Sequence, residues 1–145
     1  ILFALVTDMI ATTEPREVTT VTVPSMINAN GVQKAWIESN NGGSQFEKII
    51  KSKVKAVTFP FHQSSNKESR IITSSAMVNQ CIIMPYGWET RYPHIYEHLT
   101  DFLRNFSANK HDDIEDGLTG VYEKEIATKN VQAYGRQHRG VRRRN

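Results

Sequence analysis

Trp36-Ile37-Glu38-Ser39-Asn40-Asn41-Gly42-Gly43 decides how this chain is read. An apolar run leads into one carboxylate, and the chain then turns on small polar residues and two glycines. The pattern predicts a buried strand, Val32 to Glu38, that hands over to a helix. Asn40 or Asn41 is placed to cap that helix, which is expected from Gly43 to about Lys51 with Phe46, Ile49 and Ile50 inward. Small residues after Glu38 let another backbone or a phosphate approach closely.

Outward from this stretch, strands and helices alternate. Residues 1–10 are apolar and β-branched enough for a strand, with Asp8 near its end. A helix is expected from about Thr19 to Asn30, with Val21, Met26 and Ile27 inward. Proline disrupts a helix interior, so the start is placed nearer Thr22, with Pro24 in the first turn. Asn30-Gly31 ends it. Val54 to Phe59 is a further strand closed by Pro60, followed by a polar loop from Phe61. Asn66 caps a helix reaching about Gln80, with Ile71, Ile72, Ala76 and Val78 on its buried side. Cys81 to Met84 is a short strand closed by Pro85, and the loop after it carries Trp88. Pro93 opens a helix in which Ile95, Leu99, Phe102, Leu103 and Phe106 recur at helical spacing. Ser107 to Lys110 is a linker, and the last helix runs from near Asp112 to about Ala127. Such alternation implies an α/β fold, with a largely central sheet and helices on its faces. Functional groups gather at the carboxyl ends of strands in such sheets, which is where Glu38 falls.

Composition narrows the function classes. The 145 residues, 39% apolar and 23% charged, suit one domain with a core. The one cysteine, Cys81, excludes a disulfide framework or a cysteine-based zinc cluster, and its apolar setting marks it as a small buried hydrophobe. No apolar stretch reaches the ~18 residues that a membrane span needs. The formal net charge of +3 is unevenly placed, because Arg136, Arg139, Arg142, Arg143 and Arg144 crowd the last ten residues with no acid among them. That tail, residues 128–145, is a solvated terminus or a basic arm for nucleic acid. Serine and cysteine triad signatures, a dinucleotide glycine motif and a nucleotide phosphate loop are all missing from the sequence.

The second chemical cluster is His111-Asp112-Asp113-Ile114-Glu115-Asp116. Acids in a first helical turn complement its dipole, and one of them suffices as a cap. Four in five positions repel one another. Asp113 and Asp116 share a helix face, as do Asp112 and Asp116. A divalent cation offsets such crowding, and hard ions such as Mg²⁺ or Mn²⁺ take oxygen ligands. His111 is placed to orient water, ligate a metal, accept a proton or cap the helix. Gly117 is small enough for close packing of its helix on a sheet.

Three motifs in order, Ile37-Glu38-Ser39-Asn40-Asn41-Gly42-Gly43, Phe61-His62-Gln63 with Asn66-Lys67-Glu68-Ser69-Arg70-Ile71, and His111-Asp112-Asp113 with Asp116, resemble the nuclease domain of the large terminase subunit of tailed phages and prophages. The resemblance covers roughly residues 1–126. It implies a ribonuclease H-like fold over residues 1–127, with a central mixed sheet flanked by helices. It also implies an endonuclease that cuts concatemeric double-stranded viral DNA during genome packaging, through two Mg²⁺ or Mn²⁺ ions about 3.5–4 Å apart. Glu38 matches the family's second acidic position. Asp113, then Asp116, then Asp112 match the acids of the last helix. His111 would assist proton transfer. Lys67 and Arg70 would contact phosphates or else form a solvated helix face. The family's first acid sits on a strand before residues 1–10, so the chain reads as the C-terminal part of a longer polypeptide with an ATPase domain upstream. The small terminase subunit and the portal are the implied partners, and the host cytoplasm is the implied location. Two other readings stay open: a resolvase- or transposase-type nuclease of the same fold, and a non-catalytic module binding DNA or a packaging partner.

Overall fold

The computed structural model describes residues 2–39, 43–102, 109 and 111–129. The chain is mixed α/β and divides into two compact units, residues 10–65 and residues 1–9 with 66 onward. The expected caps Asn40 and Asn41, the side chains of Leu103 and Phe106, most of the 107–110 linker and the arginine tail lie outside the described residues.

The unit of residues 10–65 contains α1 (Arg16–Ala29), β2 (Lys34–Glu38), α2 (Gly43–Lys53) and β3 (Val57–Phe61); the first strand, β1 (Ala4–Leu5), belongs to the other unit. Strands β2 and β3 pair in parallel, Lys34 opposite Val57 through Glu38 opposite Phe61. The core is Ile27, Ile37, Ile50 and Ala56, flanked by Val23, Val32, Ala35, Phe46 and Val54. Strand β2, expected as a buried strand, is covered on one face. Ile37 is buried and Ala35 half-buried, while Lys34, Trp36 and Glu38 point to the exposed face. There Trp36 packs on Phe59 with ring centroids 5.0 Å apart, and the Lys34 ammonium lies 5.3 and 5.5 Å from the two rings.

Helix α1 starts earlier than expected, at Arg16, so Pro24 sits in its interior rather than its first turn. The inward stripe is therefore Thr20, Pro24 and Ile27, and Val21 is exposed. A mid-helix proline removes the donor for the carbonyl four residues earlier. That carbonyl belongs to Thr20, and Lys53 Nζ donates to it at 2.9 Å. Asn28 completes a clamp between the two helices. Its amide donates to Lys53 O at 2.9 Å, and its side-chain oxygen accepts from Lys55 N at 3.0 Å. The helix ends as expected at Asn30-Gly31. Gly31 adopts φ 61°, Gly31 N donates to Asn28 O and Val32 N donates to Ile27 O, a Schellman closure. Strand β3 runs through Pro60 instead of stopping before it. Val57 N and Phe61 O both face β2, so by the two-residue alternation Pro60 faces the outer edge, where no ladder donor is needed.

The other unit contains β1 (Ala4–Leu5), α3 (Lys67–Cys81), β4 (Ile82–Ile83), α4 (Trp88–Arg91), α5 (Pro93–Asp101) and α6 (Asp113–Val121), which continues as a π-helical segment Tyr122–Ala127. Asn66 caps α3 as expected, accepting from Ser69 N at 2.9 Å. The buried stripe of α3 is Ile71, Ser74 and Cys81, whereas Ile72 and Ala76 are exposed. At 100° per residue, Ile71 facing inward rotates Ile72 out. Strands β1 and β4 are also parallel, Ala4 opposite Ile82 and Leu5 opposite Ile83. The described strands thus form two separate parallel pairs instead of the expected central sheet. Asp8 accepts from Tyr92 Oη at 2.7 Å and lies 3.6 Å from Arg91. Around Gly117 a Cβ would meet nothing within 4 Å, so the close packing expected there is not what this glycine provides. Among the described residues no helix is long and apolar enough to cross a membrane.

Asn28→Ala removes both bonds that hold the end of α2 and leaves the Lys53 carbonyl and Lys55 amide without that partner. Urea unfolding should show a loss of about 1–3 kcal/mol. Lys53→Met, which leaves the Thr20 carbonyl without its ammonium donor, should lose less, about 1 kcal/mol, because water can replace it.

Candidate functional site

The first candidate, Glu38, is the last residue of β2, at the strand end where the sequence placed it. Its backbone is pinned from the next residue: Ser39 N and Oγ both donate to Phe61 O, at 2.9 and 3.0 Å. Because β2 and β3 are parallel, Glu38, Ser39 and the following His62 share one edge, the carboxyl edge of the pair. The Glu38 side chain is on the exposed face.

The acids of the last helix lie in the other unit, on the first turn of α6. Asp112 occupies the N-cap position but makes no side-chain capping bond. Its carboxylate turns instead to Lys67 Nζ, 2.6 Å away. Asp113 lies 2.9 Å from the same ammonium and Asp116 3.9 Å. Arg70, three residues on from Lys67 and so on the same face of α3, holds Asp116 at 2.8 Å through Nη1. Its Nη2 lies 2.7 Å from Glu123, and Nε donates to the same carboxylate at 3.2 and 3.3 Å. The fork and the carboxylate match in the bidentate geometry that favours arginine.

This arrangement revises two expectations. The crowding of Asp112, Asp113 and Asp116 is offset by Lys67 and Arg70, cations of the protein itself. Lys67 and Arg70, expected at phosphates, are turned onto carboxylates and are not a plain solvated face. Burial works against the Lys67 charge, but hydrogen bonds to Asp112 and Asp113 outweigh it, and its pKa is raised. The Arg70 pKa is raised chiefly by its hydrogen bond to Glu123.

Glu115 turns to α5 instead of α3. It is 8% exposed, and its Oε1 lies 3.0 Å from His98 Nδ1 on α5. Its Oε2 is buried without a hydrogen-bond partner. Burial raises its pKa, and His98 only partly compensates. His111 is exposed, one residue before Asp112.

Sequence reasoning missed Glu123 and His98. Glu123 stands seven residues after Asp116, two turns along one helix face, and that spacing was a usable signal. Nothing in the sequence near Arg70 announces a partner 53 positions away.

Oxygen donors of this kind suit a hard divalent ion. Three of them already converge on one positively charged atom, so the donor set fits a cation there, at a position held by Lys67. Among the described residues no group of three or more histidine, cysteine or acidic side chains is arranged as a ready metal site. Comparison with known proteins finds no family whose profile matches the chain, no curated protein that matches it and no solved structure that matches it.

Arg70→Met takes from Glu123 and Asp116, at partly buried positions, the guanidinium that pairs with both and leaves Asp116 only the longer contact to Lys67. The expected loss is about 2–3 kcal/mol in urea unfolding, below the figure for a fully buried pair because Glu123 is partly solvated. Arg70→Lys should recover only part of it. Glu115 gives a pH test. A folded-state pKa above the usual 4.5 means the folded protein binds this proton more tightly. Its contribution to stability is therefore favourable at low pH and is lost as pH rises through the folded value. Glu115→Gln should stabilise relative to the wild type more at pH 7 than at pH 4, as measured by urea unfolding at both.

Proposed function

We propose that this chain is the nuclease part of a phage or prophage terminase large subunit, ribonuclease H-like in fold. It would cut concatemeric double-stranded viral DNA by metal-dependent phosphodiester hydrolysis. The observation that carries the reading is the convergence of Asp112, Asp113 and Asp116 on one cationic atom at the start of α6. The position of Glu38 at the carboxyl end of β2 agrees with it.

In this reading Asp113, Asp116 and Asp112 would hold Mg²⁺ or Mn²⁺, with Glu38 as the further acid that the resemblance implies. When bound, such ions supply the Lewis acidity that activates water and offsets charge on the leaving oxygen. The aspartates orient their carboxylates from a rigid first helical turn, which fixes the site more closely than a loop would. His111, exposed beside Asp112, would take up a proton from water on its imidazole. Arg70 keeps Asp116 in place by charge-assisted hydrogen bonds. DNA is held by its backbone, since cutting of this kind needs no base readout. The upstream ATPase domain of the same polypeptide, the small terminase subunit, the portal and a host-cytoplasmic location belong to the same proposal. So does a basic C-terminal arm on DNA.

A second reading has its own support. Lys67 and Arg70 pair with the carboxylates, as a non-catalytic module with structural acids requires. Plasmid cleavage by the intact parent polypeptide separates the two. Glu38→Ala and Asp113→Ala should each slow Mn²⁺-dependent cutting by about 100-fold or more with an unchanged circular dichroism spectrum. Wild-type cutting by both variants rules out the nuclease.

A further inference from the structure

Helices α3, α5 and α6, all in one compact unit, line a cavity of about 590 Å³. That volume lies in the range of sites that take small organic molecules. Much of the wall is apolar: Ile71 from α3, Leu99 from α5, Phe102 just after it and Leu118 from α6. Ile72 and Ser75 also line it and are exposed, which sets the mouth beside α3. Among the described residues of the wall one is an acid, Glu115, and it is 8% exposed. His98 Nδ1 lies 3.0 Å from its Oε1 and fixes the carboxyl group. Oε2 is buried with no hydrogen-bond partner, a state that costs free energy until a donor arrives. The group is also short of positive charge. Burial works against its ionisation, Asp112 adds to that, and His98 only partly offsets the two.

We propose that this cavity binds a small organic amine, whose ammonium donates to Glu115 Oε2 while its apolar body packs among Ile71, Leu99 and Leu118. The proposal stands apart from the nuclease reading, since it uses none of Glu38, Asp112, Asp113 and Asp116. The chemistry of the wall selects the ligand. An alkyl or aryl group gains by leaving water for the apolar side chains. An ammonium brings both things that Glu115 lacks, a donor and a positive charge, and a charge-assisted bond of this kind is stronger than a neutral one. An alcohol supplies the donor without the charge. A carboxylic acid adds a second negative charge and is rejected. A guanidinium forks onto both oxygens of a carboxylate, and here Oε1 is already taken by His98.

The test is a titration of the whole chain with primary amines from butylamine to phenylpropylamine, followed by calorimetry and by the ¹³C methyl resonances of Ile71, Leu99 and Leu118. At least one amine should bind and move the methyls of all three residues together. Phenylpropanol, with the same skeleton and a hydroxyl in place of the ammonium, should bind at least about tenfold more weakly than phenylpropylamine, because a charge-assisted hydrogen bond becomes a neutral one. Glu115→Gln keeps the size of the side chain and removes its charge. It should weaken the amine by about tenfold and leave the alcohol unchanged. Ser75→Phe, at the mouth, should block both ligands while Glu115 stays in place. Methyl resonances that no amine moves at about 10 mM overturn the proposal, as do shifts confined to residues outside the cavity. Equal affinity for the amine and the alcohol makes the cavity a plain apolar trap and overturns it too, and this comparison needs no variant to fold. Undiminished amine binding by Glu115→Gln has the same consequence.

Discussion

The Arg70 guanidinium is the constraint on which the acidic face of the molecule depends. It lies on α3, and both of its partners, Asp116 and Glu123, lie along α6 and its π-helical continuation. Removing it would leave two carboxylates facing each other at partly buried positions, a state that costs more than the pair gains. Its fork fixes the rotation of α6 about its own axis. With that rotation set, Asp112 and Asp113 fall beside Lys67, and Glu115 is carried round to His98. One ion pair therefore sorts the four acids of a single helical turn into two environments. Three share a cation at the surface, and one is buried with a raised pKa.

Residues 10–65 depend on a different device. A proline inside α1 frees the Thr20 carbonyl, and a lysine at the end of α2 binds it. Asn28 ties the same end of α2 by two further bonds. These contacts fix α2 against α1, and together they cover the Ala35 and Ile37 face of β2. The strand can then end at Glu38 with its carboxylate on the open face. Local backbone chemistry, here a missing proline donor, thus sets where a candidate functional group emerges.

The two cations on α3 illustrate why like charges are not equivalent. Arginine, planar and multidentate, suits a permanent bond between elements. Lysine, compact and strongly hydrated, sits as a point charge at the more exposed end of the cluster. Their spacing of three residues puts both on one helix face, so a single element supplies two positive charges to the acids of α6.

Much of the architecture was legible because it rests on local chemistry. The end of β2 at Glu38, the Asn66 cap, the Asn30-Gly31 stop and Pro93 at the start of α5 all follow from turn and capping residues. The burial of Cys81 followed from its apolar neighbours. Other features needed the fold. Pro24 read as a helix-start residue, because only Lys53, 33 positions from Thr20, makes an interior proline tolerable. The stretch around Trp36 read as a buried strand, but Trp36 lies on the face of β2 that stays exposed. The partners of Asp112, Asp113 and Asp116 were invisible, since a sequence shows that charges crowd but not which cation is folded back onto them. What the sequence determined by itself were the elements, their caps and the residue types of the candidate site. What only the tertiary structure decided was how the helices are rotated and which charges meet, because those choices come from contacts dozens of residues apart.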